Sequence, residues 1–376
     1  MKARARGRRR LRVAVIYGGR SVEHEVSLVS AKSIMAALDP QRYEVVPVLV
    51  TRDGRWTPGR SAGGRAGGTS VTDLLGLAAR GPRPARRGPR RPARVDVVFP
   101  IVHGSGGEDG SLQGLLTLAD LPFVGAGVLG SALGMDKAAM KAMFHQSGLP
   151  IVRHRVVTRA EFDDAAVILM ARLESECGYP CFVKPSNGGS SVGVSKVRDG
   201  RGLKEALDLA FRYDRAVLVE QGIEAREIEC SVLGNDAPEA SVAGEIVPAH
   251  EFYDYAAKYL DTGSRLVIPA DLPAEQARLV RDLAIRAFRV LDLAGMARVD
   301  FFIDRNTGVV FLNEVNTLPG FTPISMYPKL WEASGLPFPR LVDRLIELAL
   351  ERHAARRALV TAFRPGGRSG GKPGGA

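Results

Sequence analysis

Arg298-Val-Asp-Phe-Phe-Ile-Asp-Arg-Asn-Thr-Gly-Val-Val-Phe-Leu-Asn-Glu-Val-Asn316 constrains this chain more than any other stretch. Two apolar arms rich in β-branched and aromatic residues flank the turn signal Asp304-Arg305-Asn306-Thr307-Gly308, which predicts a β-hairpin. With residues 306–308 as a three-residue loop and Gly308 left-handed, Asp300 faces Glu314 and Arg298 faces Asn316. Facing Cβ atoms lie about 4.5 to 5.5 Å apart, close enough for two carboxylates to share a cation. Alternation keeps Glu314 and Asn316 on one face. Three hard oxygen donors so placed suit Mg²⁺. A single acidic hairpin also reads as a solvated polar edge; Arg298 beside the acids and the loop Asn316-Thr-Leu-Pro-Gly-Phe-Thr-Pro323 after them favour a site.

At 376 residues the chain exceeds one ordinary domain, and two or three are expected. It contains no apolar run of membrane-spanning length, and the basic start leads into a strand pattern rather than a signal-peptide core. A cytoplasmic protein is the expectation. Cys177, Cys181 and Cys230 lack the spacing of a disulfide framework or a zinc site. The net charge of +11 raises nucleic-acid binding, but its distribution argues otherwise: residues 1–10 carry +6, residues 52–94 carry +9 and residues 364–376 carry +3, leaving −7 for the rest. These stretches have little apolar periodicity, and Trp56 is the only aromatic in the middle one.

Along the chain, a strand at 13–17, the turn Gly18-Gly19, a helix at 27–38 and a strand at 43–50 form a βαβ opening. A strand at 95–101 leads into His103-Gly-Ser-Gly-Gly-Glu-Asp-Gly110 and a helix at 112–119. Open α/β sheets bind ligands beyond the carboxyl ends of their strands, where residues 18–23 and 103–110 fall. The glycines do not satisfy a dinucleotide fingerprint. A second unit opens with a helix at 135–147 and holds Cys181-Phe-Val-Lys-Pro-Ser-Asn-Gly-Gly-Ser-Ser-Val-Gly-Val194, a strand into Lys184, a small-residue loop, and extended structure again from Val192. Such a loop admits phosphates to its N–H groups, and Lys184 and Lys137 supply cations that a plain hairpin turn does not require. A third unit carries the Tyr-rich stretch 251–259, read as a mobile lid, helices at 274–292 and 338–356, and the acidic hairpin.

Together these motifs resemble the ATP-grasp ligases, and within them the D-alanine:D-alanine ligases, over residues 11–356. The matching residues are Gly18-Gly19 with Ser21-Val-Glu-His-Glu-Val-Ser27, His103 to Gly110, Met135-Asp-Lys137, Lys184-Pro-Ser with Gly189-Ser-Ser-Val-Gly193, Phe252-Tyr-Asp-Tyr-x-x-Lys-Tyr259, Arg298-x-Asp300 and Glu314-x-Asn316-x-x-Pro-Gly320. The implied fold is α/β: three ATP-grasp domains, the first a Rossmann-like open sheet. The expected boundaries are a basic tail at 1–10, domains at 11–134 (with a basic insertion at 52–94), 135–226 and 227–360, and a Gly-rich tail at 361–376.

The resemblance also implies a reaction, the ATP-dependent joining of two D-alanines through an acyl phosphate, with two Mg²⁺ (or Mn²⁺) held by Asp300, Glu314 and Asn316. It assigns ATP to Lys137, Lys184, Ser191, Glu220, Ile223, Glu227 and Lys258, the oxyanion to Arg298 and the Gly320 N–H, and the first D-alanine to Glu23 and His103. Ser325 takes the carboxylate of the second, and Tyr259, Ser190 and Glu23 form a hydrogen-bonded chain under the lid. A homodimer is implied, with no membrane or nucleic-acid partner. A bulky aromatic common near the family's adenine is replaced by Gly222 and Ile223. The alternatives are a D-alanine:D-lactate depsipeptide ligase and, in another class, a nucleic-acid-binding protein.

Overall fold

In the computed structural model, the residues described are 9–58, 95–248 and 265–360. The opening βαβ unit forms a sheet in the order β3-β2-β1-β4, with β1 at Leu11–Gly18, β2 at Tyr43–Val50, β3 at Trp56–Pro58 and β4 at Val97–Ile101. β1 runs parallel to both β2 and β4, and β3 adds an antiparallel edge. The first helix, His24–Ala37, starts three residues before the position expected from apolar spacing. Gly18 takes a φ of +94°, and a Cβ there would sit 2.1 Å from the Val50 carbonyl, so the turn out of β1 admits only glycine.

A second, antiparallel sheet has the order β5-β8-β6-β7, with β5 at His154–Thr158, β6 at Cys181–Pro185, β7 at Ser195–Val197 and β8 at Ala216–Gln221. The third has the order β11-β10-β9-β12-β13, with β9 at Ala225–Gly234, β10 at Glu239–Val247, β11 at Arg265–Val267, β12 at Gly295–Asp304 and β13 at Val310–Asn316.

The helix expected at 135–147 is broken at its start. Asp136 is extended and caps Lys137–Gln146 by accepting from the Ala138 and Ala139 N–H groups, while a separate helix, Val128–Met135, precedes it. The capped helix buries Met140 and Phe144 with Val299, Phe301 and Leu312 of the third sheet. In the same way the last helix, Phe338–Ala358, buries Leu341, Leu345 and Ile346 with Val13, Val15 and Phe99 of the first sheet. Burying such side chains stabilises by roughly 1.5 to 3 kcal/mol each, so the helix at 137–146 is fixed to the third sheet, and the core around the last helix, which also takes in Leu233 and Met296, fixes the first sheet to the third.

Candidate active site

The acidic hairpin has the expected facing pairs, Asp300 with Glu314 and Arg298 with Asn316, but reaches them by a different route. The turn is one residue longer: the Asp304 N–H bonds to the Val309 carbonyl, and Gly308, left-handed at φ +71°, donates to the Asp304 carbonyl. Near the turn Phe301 therefore faces Leu312, and a bulge at Asn313 restores the register before Glu314. The two one-residue changes cancel. The bulge also lets consecutive residues Asn313 and Glu314 both line a cavity while Leu312 and Val315 stay in the core.

That cavity, about 540 Å³, lies between the second and third sheets, within the range of small-molecule sites. Of the residues singled out in the sequence, Lys137, Lys184, Ser190, Ser191, Glu220, Ile223, Glu227, Arg298, Asp300 and Glu314 line it. Several of its charges are paired. Glu220 is buried and binds Lys184 at 2.6 Å through one oxygen and Lys141 at 3.0 Å through the other. Burial would raise the Glu220 carboxyl, but Lys141 and then Lys184 outweigh it and hold it down at about 2. Lys141 itself is pushed down by burial, partly offset by Glu220. Across the cavity Arg298 donates twice to Asp300 at 2.7 Å and lies 3.0 Å from Glu229. Those acids raise its guanidinium further despite its burial. Lys137 donates to the Gly188 carbonyl at 2.7 Å and lies 3.4 Å from Glu314.

Among the described residues no group of three or more His, Cys, Asp or Glu side chains forms a metal cage. Asp300 and Glu314, with Asn316 two residues on, offer two carboxylates and an amide on one face. Mg²⁺, which completes its shell with water and phosphate oxygens, fits such a partial set. The Asn316 side chain also accepts from the Leu318 N–H at 3.1 Å, shaping the loop that follows.

The small-residue loop stays irregular longer than expected, with strand resuming at Ser195 rather than Val192. Ser190 and Ser191 are left-handed at φ +53° and +59°, and turn bonds join Val192 to Gly189 and Val194 to Ser191. This backbone is unusual for a residue with a side chain. It carries the Ser190 hydroxyl to the Glu23 carboxylate, which accepts its hydrogen bond from the first unit.

Deeper in the first unit His103 is buried, its Nδ1 3.0 Å from the Leu318 carbonyl and 3.3 Å from Glu108. Because that carbonyl only accepts, Nδ1 carries a hydrogen. Nε2 lies 3.3 Å from the Ser30 hydroxyl, which accepts from the Phe321 N–H at 3.1 Å. His103 thereby ties the first sheet to the loop bearing Gly320. Burial disfavours its charged ring, yet Glu108, with Glu23 behind it, raises its pKa above the usual 6.5. At Gly320 a Cβ would lie 2.7 Å from the Ser325 hydroxyl, which accepts from the Thr322 N–H at 3.0 Å. Lys258 and Tyr259 lie outside the described residues.

Lys141, Glu229, Glu108, Phe182 and Asn313 join the site without having been singled out. Lys141 had a signal: it falls four residues after Lys137, on the same helix face.

The family profiles described as D-ala D-ala ligase N-terminus and D-ala D-ala ligase C-terminus match residues 12–126 and 143–347. The chain belongs to the D-alanine–D-alanine ligase family. Its ATP-grasp α/β architecture is the one the motifs predict. Among relatives in this family, the D-alanine–D-alanine ligase of Thermoanaerobacter sp. (strain X514) is 53% identical over 350 residues, 91% of this chain and 97% of that protein. That of Heliobacterium modesticaldum is 52% identical over 347 residues, covering 91% and 95%. The solved D-alanine-D-alanine ligase from Coxiella burnetii superposes with a TM-score of 0.76 at 38% identity, covering 93% of this chain and 96% of that one. VanG D-Ala:D-Ser ligase from Enterococcus faecalis gives 0.76 at 33%, covering 91% and 100%. Family members thus differ in the second amino acid their names carry.

Proposed function

We propose that the protein joins two D-alanines with ATP, yielding ADP, phosphate and D-alanyl-D-alanine for peptidoglycan precursor synthesis. The observation that carries the reading is the Ser190–Glu23 hydrogen bond, which brings the phosphate-side loop against the amino-acid side. A phosphate donor and a carboxylate acceptor meet at such a seam.

A carboxylate resists attack by an amine until its oxygen becomes a leaving group, so the first D-alanine takes the γ-phosphoryl group of ATP. Lys184 and Lys137 hold the phosphates, and the turn at Ser190 and Ser191 covers them. Two Mg²⁺ (or Mn²⁺) held by Asp300, Glu314 and Asn316 would neutralise charge on the transferring phosphoryl group. Glu23 takes the ammonium of the first D-alanine. His103, with both ring nitrogens already partnered in the protein, acts by placing the 318–321 loop. Arg298 and the Gly320 N–H meet the oxyanion formed when the second amine attacks, usually the largest catalytic term. Ser325, at the N-terminus of the helix Met326–Ala333, suits the second carboxylate.

No helix among the described residues is long and apolar enough to cross a membrane; a cytoplasmic location is part of the proposal. The resemblance supports a homodimer. Coupled measurement of ADP release with D-alanine alone, L-alanine alone, and D-alanine plus D-lactate or D-serine tests the reading. We expect turnover with D-alanine alone and dipeptide as the dominant product. Turnover only when D-lactate or D-serine is present would reassign the acceptor.

A further inference from the structure

Lys141 is fully buried, where no substrate reaches it. Its ammonium lies 3.0 Å from Glu220 and donates to the Asn313 main-chain carbonyl at 3.2 Å. The two partners belong to opposite walls of the cavity. Glu220 lies on β8 and holds Lys184 with its other oxygen. Asn313 is the extra residue of the β13 bulge, immediately before Glu314. Lys137, one turn earlier on the same helix, spans the same two walls, from the Gly188 carbonyl to Glu314. One helix therefore carries two bridging lysines, Lys137 lining the cavity and Lys141 sealed behind it.

A buried ammonium carries a desolvation penalty that an apolar chain of similar length would avoid. What the charge adds here is a fixed donor to a carbonyl freed by the bulge. A bulge residue has no regular ladder partner and relaxes unless something holds it, and Glu314 moves with Asn313. We propose that Lys141 is a positioning residue: it pins the Asn313 bulge to Glu220 and so sets Glu314 at its working distance from the phosphate-holding wall. This rests on the reading of the cavity as the site of ATP and Mg²⁺. Glu220 keeps Lys184 when Lys141 is replaced, so the wall itself stands.

The test compares the full-length wild type with Lys141→Met. Calorimetry gives the affinity for a non-hydrolysable ATP analogue with and without Mg²⁺, and steady-state assays give kcat and the KM for D-alanine. The expected result is a variant that melts within a few degrees of the wild type but loses about tenfold of the Mg²⁺-dependent gain in analogue affinity, as when a group that orients a metal ligand is removed. Its kcat should fall about tenfold or more, with the D-alanine KM within about twofold. A wild-type Mg²⁺ gain and kcat would overturn the proposal. So would an equal loss of affinity with and without Mg²⁺, which marks general loosening. Should Lys141→Met not fold, Lys141→Leu, which likewise removes the donor, is read by the same constants; failure of both to fold would make Lys141 a core residue and end the proposal. A wild type that releases no ADP with D-alanine would sink the functional reading instead, leaving the analogue titration to judge the bulge.

Discussion

On the side proposed for the nucleotide, Glu220 pairs with Lys184 and Lys141, and Lys137 with Glu314, over 2.6 to 3.4 Å, and Arg298 forks onto Asp300. On the side proposed for the amino acids, Glu23, His103, Gly320 and Ser325 are held by hydroxyls, main-chain carbonyls and one tight glycine approach. The first arrangement stores compensated charge that phosphates and metal can redistribute. The second fixes positions among segments far apart in sequence. Phosphoryl transfer needs charge neutralised, whereas ligating two small zwitterions needs each held in one orientation. Damage to the first should therefore appear in nucleotide and metal constants, and damage to the second in the constants for D-alanine.

Asp300→Ala and Glu314→Ala should break this division most visibly, lowering kcat/KM by about 10³-fold or more, because several kcal/mol of phosphate charge compensation go. Arg298 keeps Glu229 and Lys137 keeps the Gly188 carbonyl, so circular dichroism and melting should remain near wild type. Near-normal Mg²⁺-dependent turnover in either folded variant would remove the metal assignment. Lys184→Met should raise the ATP KM about tenfold to a hundredfold while the D-alanine KM moves little, since a charge-assisted bond contributes about 1.5 to 3 kcal/mol. A larger change in the D-alanine KM would erase the distinction between the two sides.

Ser190→Ala tests the seam itself. Removing one hydroxyl that donates to a carboxylate should lower kcat/KM for D-alanine by roughly tenfold and leave ATP-analogue affinity within about twofold. The reverse pattern would assign Ser190 to the phosphates alone. The smallest expected effect concerns His103. Its folded pKa is raised above 6.5, so the stability it adds is complete below pH 6.5 and declines as pH rises through the folded value. His103→Gln should flatten the dependence of stability on pH above 6.5, removing a slope of at most about 1.4 kcal/mol per pH unit. An unchanged slope in denaturant titrations would show that another group titrates there.

The two sides also differed in how far the sequence revealed them. Asp300, Glu314 and Lys184 were legible because strand alternation and turn residues are local rules. Even so, the facing of Asp300 and Glu314 was reached through a turn one residue too short, and only the Asn313 bulge made the pairing come out as expected. Nothing local announces a bulge, which here depends on a buried ammonium from another unit. The break at Asp136 was readable as an Asp cap before a helix, but it was covered by continuous helical periodicity on either side. Lys141 and Glu229 escaped because a charged residue on a helix or strand most often faces water, and burial is decided by partners distant in sequence. His103 and Glu23 fell at the carboxyl ends of the first sheet's strands, where open sheets bind ligands, but their roles came from motif resemblance. Their partners, Leu318 and Ser190, lie 215 and 167 residues away.

In the proposed reaction the two sides meet so that the γ-phosphoryl group of ATP activates the carboxylate of one D-alanine. Supplying D-alanine labelled with ¹⁸O in its carboxylate, together with ATP and Mg²⁺, and analysing the released phosphate by mass spectrometry tests it directly. The acyl phosphate retains a carboxylate oxygen in its bridge, and attack by the second amine expels that oxygen with the phosphate. One ¹⁸O per phosphate, appearing in step with D-alanyl-D-alanine, is the predicted result. Unlabelled phosphate released alongside dipeptide would rule out an acyl-phosphate route.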